Sequence, residues 1–198
     1  MTTLCLVRHG ETDWNAIGKL QGREDIPLND RGRKQAEMVG AFLKNSEFAA
    51  IVTSPLLRAK QTAEIVNRYV GSLPFIENSD FIEKDYGEAS GMNVPERDSH
   101  FPDGKIPGME SFDLIKKRVL RGLSTVKDQF PDQSVLLVAH GGLINVILAV
   151  FSNGEIGTGK TKLFNTCISH IETSGDSWKI IDYNCIDHLS AFGKVTSI

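Results

Sequence analysis

Along this chain short apolar runs alternate with longer stretches whose apolar positions recur every three or four residues. A strand buried on both faces needs consecutive apolar residues, and a helix packed on it needs one apolar stripe, so the alternation predicts an α/β fold with a mostly parallel sheet. Residues 3–7 read as a first buried strand. Asn29 or Asp30 can cap a helix over 31–44, with Ala36, Val39 and Leu43 on one face. Residues 49–53 make the next strand, and Ser54-Pro55 has the cap-then-proline order that opens helices. Ala59, Ala63, Val66 and Val70 continue that helix, and Gly71 stops it. A strong helix is expected from Phe112 through Ile115, Val119, Leu123 and Val126 to Phe130, closed by Pro131. Residues 134–139 form a buried strand, 143–151 a helix, and 163–171 and 178–183 two closing strands.

Between these segments, residues 74–110 lose all periodicity except for an apolar piece at 73–76, and Pro, Gly, Asn and charged residues dominate. So long an irregular stretch inside a compact chain reads as a functional cap. No repeat or low-complexity segment interrupts the pattern, and 198 residues suit a single domain spanning 1–198.

Composition narrows the function classes. With 40% hydrophobic residues, 24% charged residues and a net charge of −3, the chain has no electrostatic case for binding nucleic acid. No apolar stretch approaches the ~18 residues needed to cross a bilayer. The start, MTTLCLVRHGE, lacks the basic and apolar regions of an export signal, so a cytoplasmic protein without a membrane partner is expected. Cys5, Cys167 and Cys185 are odd in number and far apart, which suggests buried thiols rather than a disulfide framework. Nothing in the pattern distinguishes a monomer from a homodimer.

The candidate chemistry gathers at strand ends. In an open α/β sheet ligands bind beyond the carboxyl ends of the strands, beside helix N-termini that favour anions. The first strand runs into Arg8-His9-Gly10, the second into Ser54-Pro55 with Arg58 one turn on, and a third into His140-Gly141-Gly142. Singly, each of these is an ordinary structural residue; together, two arginines and two histidines at one sheet edge outline a phosphate pocket. His9 is the best nucleophile there, because no serine or cysteine has an adjacent base. Phosphoryl transfer needs charge placed on three non-bridging oxygens, and Arg8, Arg58 and His140 supply it. For the leaving-group proton the carboxylates Glu77, Asp80, Glu83, Asp85, Glu88, Glu96 and Asp98 are all candidates, and spacing does not choose among them. The five histidines never fall at H-x-x-x-H spacing, so neither a metal nor another cofactor is expected.

The segment Leu6-Val-Arg-His-Gly-Glu-Thr-Asp-Trp-Asn15 resembles the signature of the histidine phosphatase superfamily in its phosphoglycerate mutase-like branch. The likeness continues through Leu20-Gln-Gly22, Pro27-Leu-Asn29, the stretch from Thr53 to Ala63, Glu83 with Gly87 and Gly91, and Ala139-His-Gly-Gly142. The resemblance implies a three-layer α/β/α sandwich, no metal, a small phosphorylated substrate and a phosphohistidine on His9. It further implies Arg8, Arg58 and His140 as phosphate ligands, and Asn15, Gln21, Gly22 and Gly141 as pocket lining. Glu83 corresponds to the proton donor that later activates water. Gly108-Met-Glu-Ser111 departs from the commoner Gly-Gly-Glu-Ser, outside the proposed chemistry. The 57 residues from Glu83 to His140 are fewer than in true mutases, which favours a phosphomonoesterase over a phosphoglycerate mutase. A non-catalytic domain that recognises phosphorylated ligands is the alternative of another class.

Two features stand outside this scheme. Lys84, Arg97, His100 and Lys105 lie in the cap region, where they read as solvated loop charges or as contacts to a second anionic group of the substrate. Residues 154–161, GEIGTGKT, satisfy the nucleotide-binding pattern G-x-x-x-x-G-K-[ST]. A working loop of that kind follows a strand and opens a helix, whereas this one follows a helix and precedes a strand. It therefore reads as a flexible connection, with Lys160 and Thr158 at most skirting the pocket entrance.

Overall fold

Leu4 and Leu6 of strand β1 (Thr3–Arg8) join the core on one side of the sheet while Cys5 and Val7 join the core on the other, and all four are buried. Such two-sided burial requires helices on both faces. In the computed structural model, which describes residues 1–192, α2 (Asp30–Leu43) and α3 (Leu57–Val70) cover one face. The other is covered by α5 (Phe112–Gln129) and α6 (Gly141–Phe151). The remaining elements are a single turn α1 (Asp13–Ala16), strands β2 (Ala50–Thr53), β3 (Phe75–Glu77), β4 (Ser134–Ala139), β5 (Ile168–Ser174) and β6 (Ser177–Cys185), and helix α4 (Val94–His100). The result is a three-layer α/β/α sandwich.

The six strands are ordered β3-β2-β4-β1-β5-β6, with the first four parallel and β5 and β6 antiparallel. Two features of this topology position the site. First, β1 and β4 run side by side in register, Arg8 opposite Ala139, so His9 and His140 leave adjacent strand ends together. Second, the chain leaves β1 for α2 on one face and leaves β4 for α6 on the other. Divergence of that kind opens a crevice at the carboxyl edge, the topological switch point where α/β proteins bind ligands.

Local chemistry explains most helix boundaries. Asn29 caps α2 by accepting the Gly32 N–H at 2.8 Å, and Ser111 caps α5 by accepting that of Leu114 at 3.3 Å. Gly71 ends α3 at φ +108°, a backbone state that costs glycine little.

Three expectations need correction. Ser54-Pro55 does not open α3, which begins at Leu57 and borrows a distant cap, the Asp25 carboxylate accepting the Leu57 N–H at 2.6 Å. The fourth anticipated strand starts only at Ile168, because Thr166 turns at φ +57° and donates its N–H to the Arg8 carbonyl at 3.0 Å instead of entering a ladder. The apolar piece at 73–76 ends in an edge strand, β3, parallel to β2. The rest of the cap region holds 3₁₀ turns at Ser79–Phe81 and Gly87–Ala89 as well as α4.

Close backbone contact between α2 and the chain after β1 sets where that chain goes. A Cβ on Gly32 would lie 2.0 Å from the Glu11 carbonyl oxygen, so only glycine lets the first turn of α2 touch that segment. Gly32→Ala should therefore destabilise the protein by about 1–3 kcal/mol, through displaced backbone rather than lost contacts. Thermal unfolding would show a melting temperature lower by several degrees; an unchanged value would mean that α2 slides freely.

Candidate active site

His9 follows β1 with its N–H bonded to the Ala139 carbonyl at 2.9 Å, which extends the parallel pairing one residue beyond the strand. Its ring is buried. Nδ1 lies 2.6 Å from the Gly10 carbonyl oxygen, an acceptor only, so Nδ1 carries the proton and Nε2 keeps its lone pair. That lone pair accepts a hydrogen bond from Arg58 Nε at 3.3 Å. Burial first, then the positive charges of Arg58 and Arg8, hold the His9 pKa well below its usual value. The imidazole is thus neutral, with its proton on Nδ1 and its Nε2 lone pair turned toward Arg58.

Arg58 sits in the first turn of α3, with its guanidinium almost fully buried. Nη2 donates to the Gly22 carbonyl and Nη1 to that of Glu24, both at 2.7 Å, and burial pushes its pKa down to about 10. Arg8 Nη1 donates to the Leu163 carbonyl, while Arg8 Nε is buried with no partner among the described residues. His140 Nε2 pairs with Ser54 Oγ at 2.7 Å, and its Nδ1 is also without a partner among the described residues. Burial, followed by repulsion from Arg58, lowers the His140 pKa well below the usual value. The two imidazole rings lie 5.2 Å apart.

Glu83, one of seven carboxylates between which spacing could not choose, is the one that reaches this cluster. Its oxygens accept N–H groups of Gly142 and Leu143, each at 2.9 Å, in the first turn of α6, and that of Lys84 at 2.8 Å. The two glycines after His140 make the arrangement possible. A Cβ on Gly142 would fall 2.7 Å from Glu83 Oε1, and one on Gly141 would fall 3.2 Å from Arg8 Nε.

Arg8, His9, Asn15, Gln21, Gly22, Arg58, Glu83 and Gly141 all line one cleft of about 770 Å³, and His140 lies buried beneath it against His9. Asn15 Oδ1 is occupied by Thr12, in a capping box on α1, and by Asn165. Gln21 Oε1 is buried without a partner among the described residues.

Five supporting residues were given no role at the site from the sequence. Ser54 holds His140, Thr62 Oγ1 accepts the Gly10 N–H at 3.0 Å, and Gln35 Oε1 accepts that of Glu11 at 2.8 Å. Asn165 donates to the His9 carbonyl at 3.1 Å. Arg118 binds Glu110 through Nε and Nη2 at 2.8 and 2.9 Å, and also donates to the carbonyls of Asp80, Ile82 and Glu83. Burial would raise the Glu110 pKa, but the bonds from Arg118 outweigh it and hold the carboxyl below its ordinary range. One signal for Arg118 was present: it stands on the buried stripe of α5 between Ile115 and Gly122, where a solvated arginine does not belong.

Lys84, Arg97, His100 and Lys105 do not line the cleft. Lys84 lies over the Tyr86 ring, Arg97 bonds Asp98 at 2.7 Å, His100 Nδ1 sits 2.9 Å from the Glu96 carbonyl, and Lys105 is 3.9 Å from Asp103. The glycine-rich segment 154–161 connects α6 to the turn before β5, and it is tied down rather than flexible. Gly154, Glu155, Ile156, Gly157, Thr158, Lys160 and Thr161 all donate their N–H groups to acceptors in α6, its end or the segment itself. Thr161 Oγ1 accepts the Gly157 N–H at 2.9 Å. A loop whose donors are already used cannot cradle phosphates. Lys160 nevertheless lines the cleft, and Thr158 does not.

The sequence model of the histidine phosphatase superfamily (branch 1) matches residues 4–186. Among curated relatives, the uncharacterized phosphatase PhoE of Bacillus subtilis is 47% identical over 194 residues, covering 98% of this chain and 100% of the relative. A metal-independent phosphoserine phosphatase of Arabidopsis thaliana is 32% identical over 206 residues, covering 98% and 85%. Among solved structures, YhfR of Bacillus stearothermophilus superposes with a TM-score of 0.88 at 28% identity, covering 96% of this chain and 100% of that one.

The depressed pKa values have a thermodynamic consequence. Below about pH 6.5 the unfolded chain protonates these histidines before the native state does, so stability falls with pH, by up to about 1.4 kcal/mol per pH unit for each ring. Denaturant unfolding of His9→Asn between pH 7 and 5 should show a slope shallower than that of the wild type by about this amount. Equal slopes would mean that His9 binds protons alike in the native and unfolded states. Arg118→Ala leaves three carbonyls without their donor and Glu110 with only the Asp85 N–H and the half-exposed Arg23, and should cost about 3 kcal/mol, read as a lower denaturation midpoint.

Proposed function

Since the chain belongs to the histidine phosphatase superfamily, we propose that it is a metal-independent phosphomonoesterase that passes the phosphoryl group of a small metabolite through His9 to water. The observation that carries this reading is the state of His9, a buried neutral imidazole with Nδ1 on a carbonyl and Nε2 on Arg58. Relatives named as phosphatases at 47% and 32% identity support hydrolysis as the outcome.

The reaction has two steps. Nε2 of His9 attacks phosphorus, a P–N bond forms as the P–O ester bond breaks, and protonated Glu83 gives its proton to the departing alkoxide. Arg8, Arg58 and His140 hold the three non-bridging oxygens, with Asn15 and Gln21 adding amide contacts. Water then attacks the phosphohistidine, Glu83 as carboxylate takes its proton, and the P–N bond breaks to release phosphate. A mutase shares the first step and differs in the second, where an alcohol replaces water.

His9→Ala should abolish phosphate release from p-nitrophenyl phosphate, and rapid quenching of the wild type should trap an acid-labile phosphoprotein that the variant lacks. Glu83→Gln should lower turnover by about 10²–10⁴-fold and let the phosphoprotein accumulate, because the activated phenolate leaves without a proton while water lacks its base. Wild-type rates in His9→Ala would sink the mechanism. Transfer to added phosphoglycerate with little free phosphate would establish the mutase instead.

A further inference from the structure

The cleft is larger than a phosphate group requires, and its wall is charged in one sense. At about 770 Å³ it falls within the range of sites that enclose whole small molecules. Six lysine and arginine residues line it against two carboxylates, Glu11 and Glu83, in a chain whose overall charge is −3. Glu11 is paired with Arg31 at 3.3 Å, and Glu83 is held by backbone N–H groups. Arg8 and Arg58 belong to the reacting phosphate. That leaves Lys19, Lys160 and Lys162, none of which has a carboxylate partner among the described residues.

We propose that the glycine-rich connector 154–161 and the adjoining Lys162, together with Lys19, form a subsite for a second negative charge on the leaving group, so that the preferred substrates are phosphate esters carrying a carboxylate or a further phosphate. The inference rests on the hydrolysis proposed at His9. Lys160 comes from a connector fixed by its own hydrogen bonds, including Asn145 Nδ2 to the Thr161 carbonyl at 3.0 Å. Only the side-chain stem must therefore be ordered when an anion binds. The present partners of these ammonium groups are uncharged: Lys160 Nζ donates to the Gly154 carbonyl at 2.5 Å, and Lys19 Nζ lies 5.5 Å from the centre of the Trp14 ring. An ammonium has three donors, and a carboxylate or phosphate oxygen is a stronger acceptor than a carbonyl, so both lysines can turn toward an anionic ligand.

The test compares kcat/KM for four esters: phosphoserine, a sugar bisphosphate, phosphoethanolamine and p-nitrophenyl phosphate. The double variant Lys160→Ala/Lys162→Ala is compared with Lys105→Ala, an exposed site away from the cleft. Both lysines of the double variant are exposed, so its fold is not at risk. In the wild type one or both doubly anionic esters should be favoured over phosphoethanolamine. The double variant should reduce that preference about tenfold to a hundredfold, mainly through KM, and Lys105→Ala should leave it unchanged. Raising ionic strength should raise the wild-type KM for the favoured ester more than that of the double variant. Preference for phosphoserine alone assigns the subsite to a carboxylate, and preference for the bisphosphate assigns it to a phosphate. An unaltered preference in the double variant, or equal losses on all four esters, would overturn the subsite. Absence of hydrolysis of every ester by the wild type would overturn the underlying reaction as well, so the two failures are distinct.

Discussion

Two guanidinium groups, Arg8 at the end of β1 and Arg58 in the first turn of α3, are packed together at the carboxyl edge of the sheet, and the surroundings of the cleft follow from that constraint. Burying a cation costs several kcal/mol unless fixed acceptors replace its water. Arg58 obtains them from the carbonyls of Gly22 and Glu24, and Arg8 from that of Leu163. The loops that carry those carbonyls must therefore fold over the carboxyl edge of the sheet, and in doing so they become the walls of the cleft. Burial first, and then the same positive charges, hold both imidazole pKa values well below the usual range. The register of β1 against β4 brings Arg8, His9 and His140 together, and the first turn of α3 adds Arg58.

A second layer holds the first by hydrogen bonds that reach across the sequence. Ser54 at the end of β2 orients His140 at the end of β4. Arg118, with Glu110, gathers the carbonyls of Asp80, Ile82 and Glu83 and so fixes a segment that has little regular structure of its own. Glycine enters where two groups must nearly touch. Gly142 admits the Glu83 carboxylate to the first turn of α6, and Gly32 admits the chain beyond β1 to α2.

The α/β class, the four central helices and most strands were legible because their apolar periodicities answer directly to burial on one face or two. Arg8, His9, Arg58 and His140 were legible because strand ends in a parallel sheet share one edge, so proximity follows from topology. Glu83 was another matter: its approach depends on a turn-rich segment stapled by Arg118, and only family likeness separated it from six other carboxylates. Residues 163–167 misled for a related reason. Their alternation imitates a strand, but the Thr166 N–H is captured by the Arg8 carbonyl, a long-range bond that local pattern does not encode. Element order alone set aside the nucleotide-binding match of the glycine-rich segment, whereas the match itself records spacing and is silent on whether the backbone donors are already engaged.

The contact from Arg58 Nε to His9 Nε2 occupies the very lone pair on which the proposed chemistry depends. Under that mechanism the arrival of phosphorus does not strand the donor, because a phosphoryl oxygen takes the place of the ring nitrogen. The guanidinium exchanges one acceptor for another, and its bonds to Gly22 and Glu24 need not change. On that mechanism Arg58 would keep its backbone acceptors throughout, so little of the protein around it would have to reorganise. By the same mechanism the resting contact holds the place of the phosphoryl group.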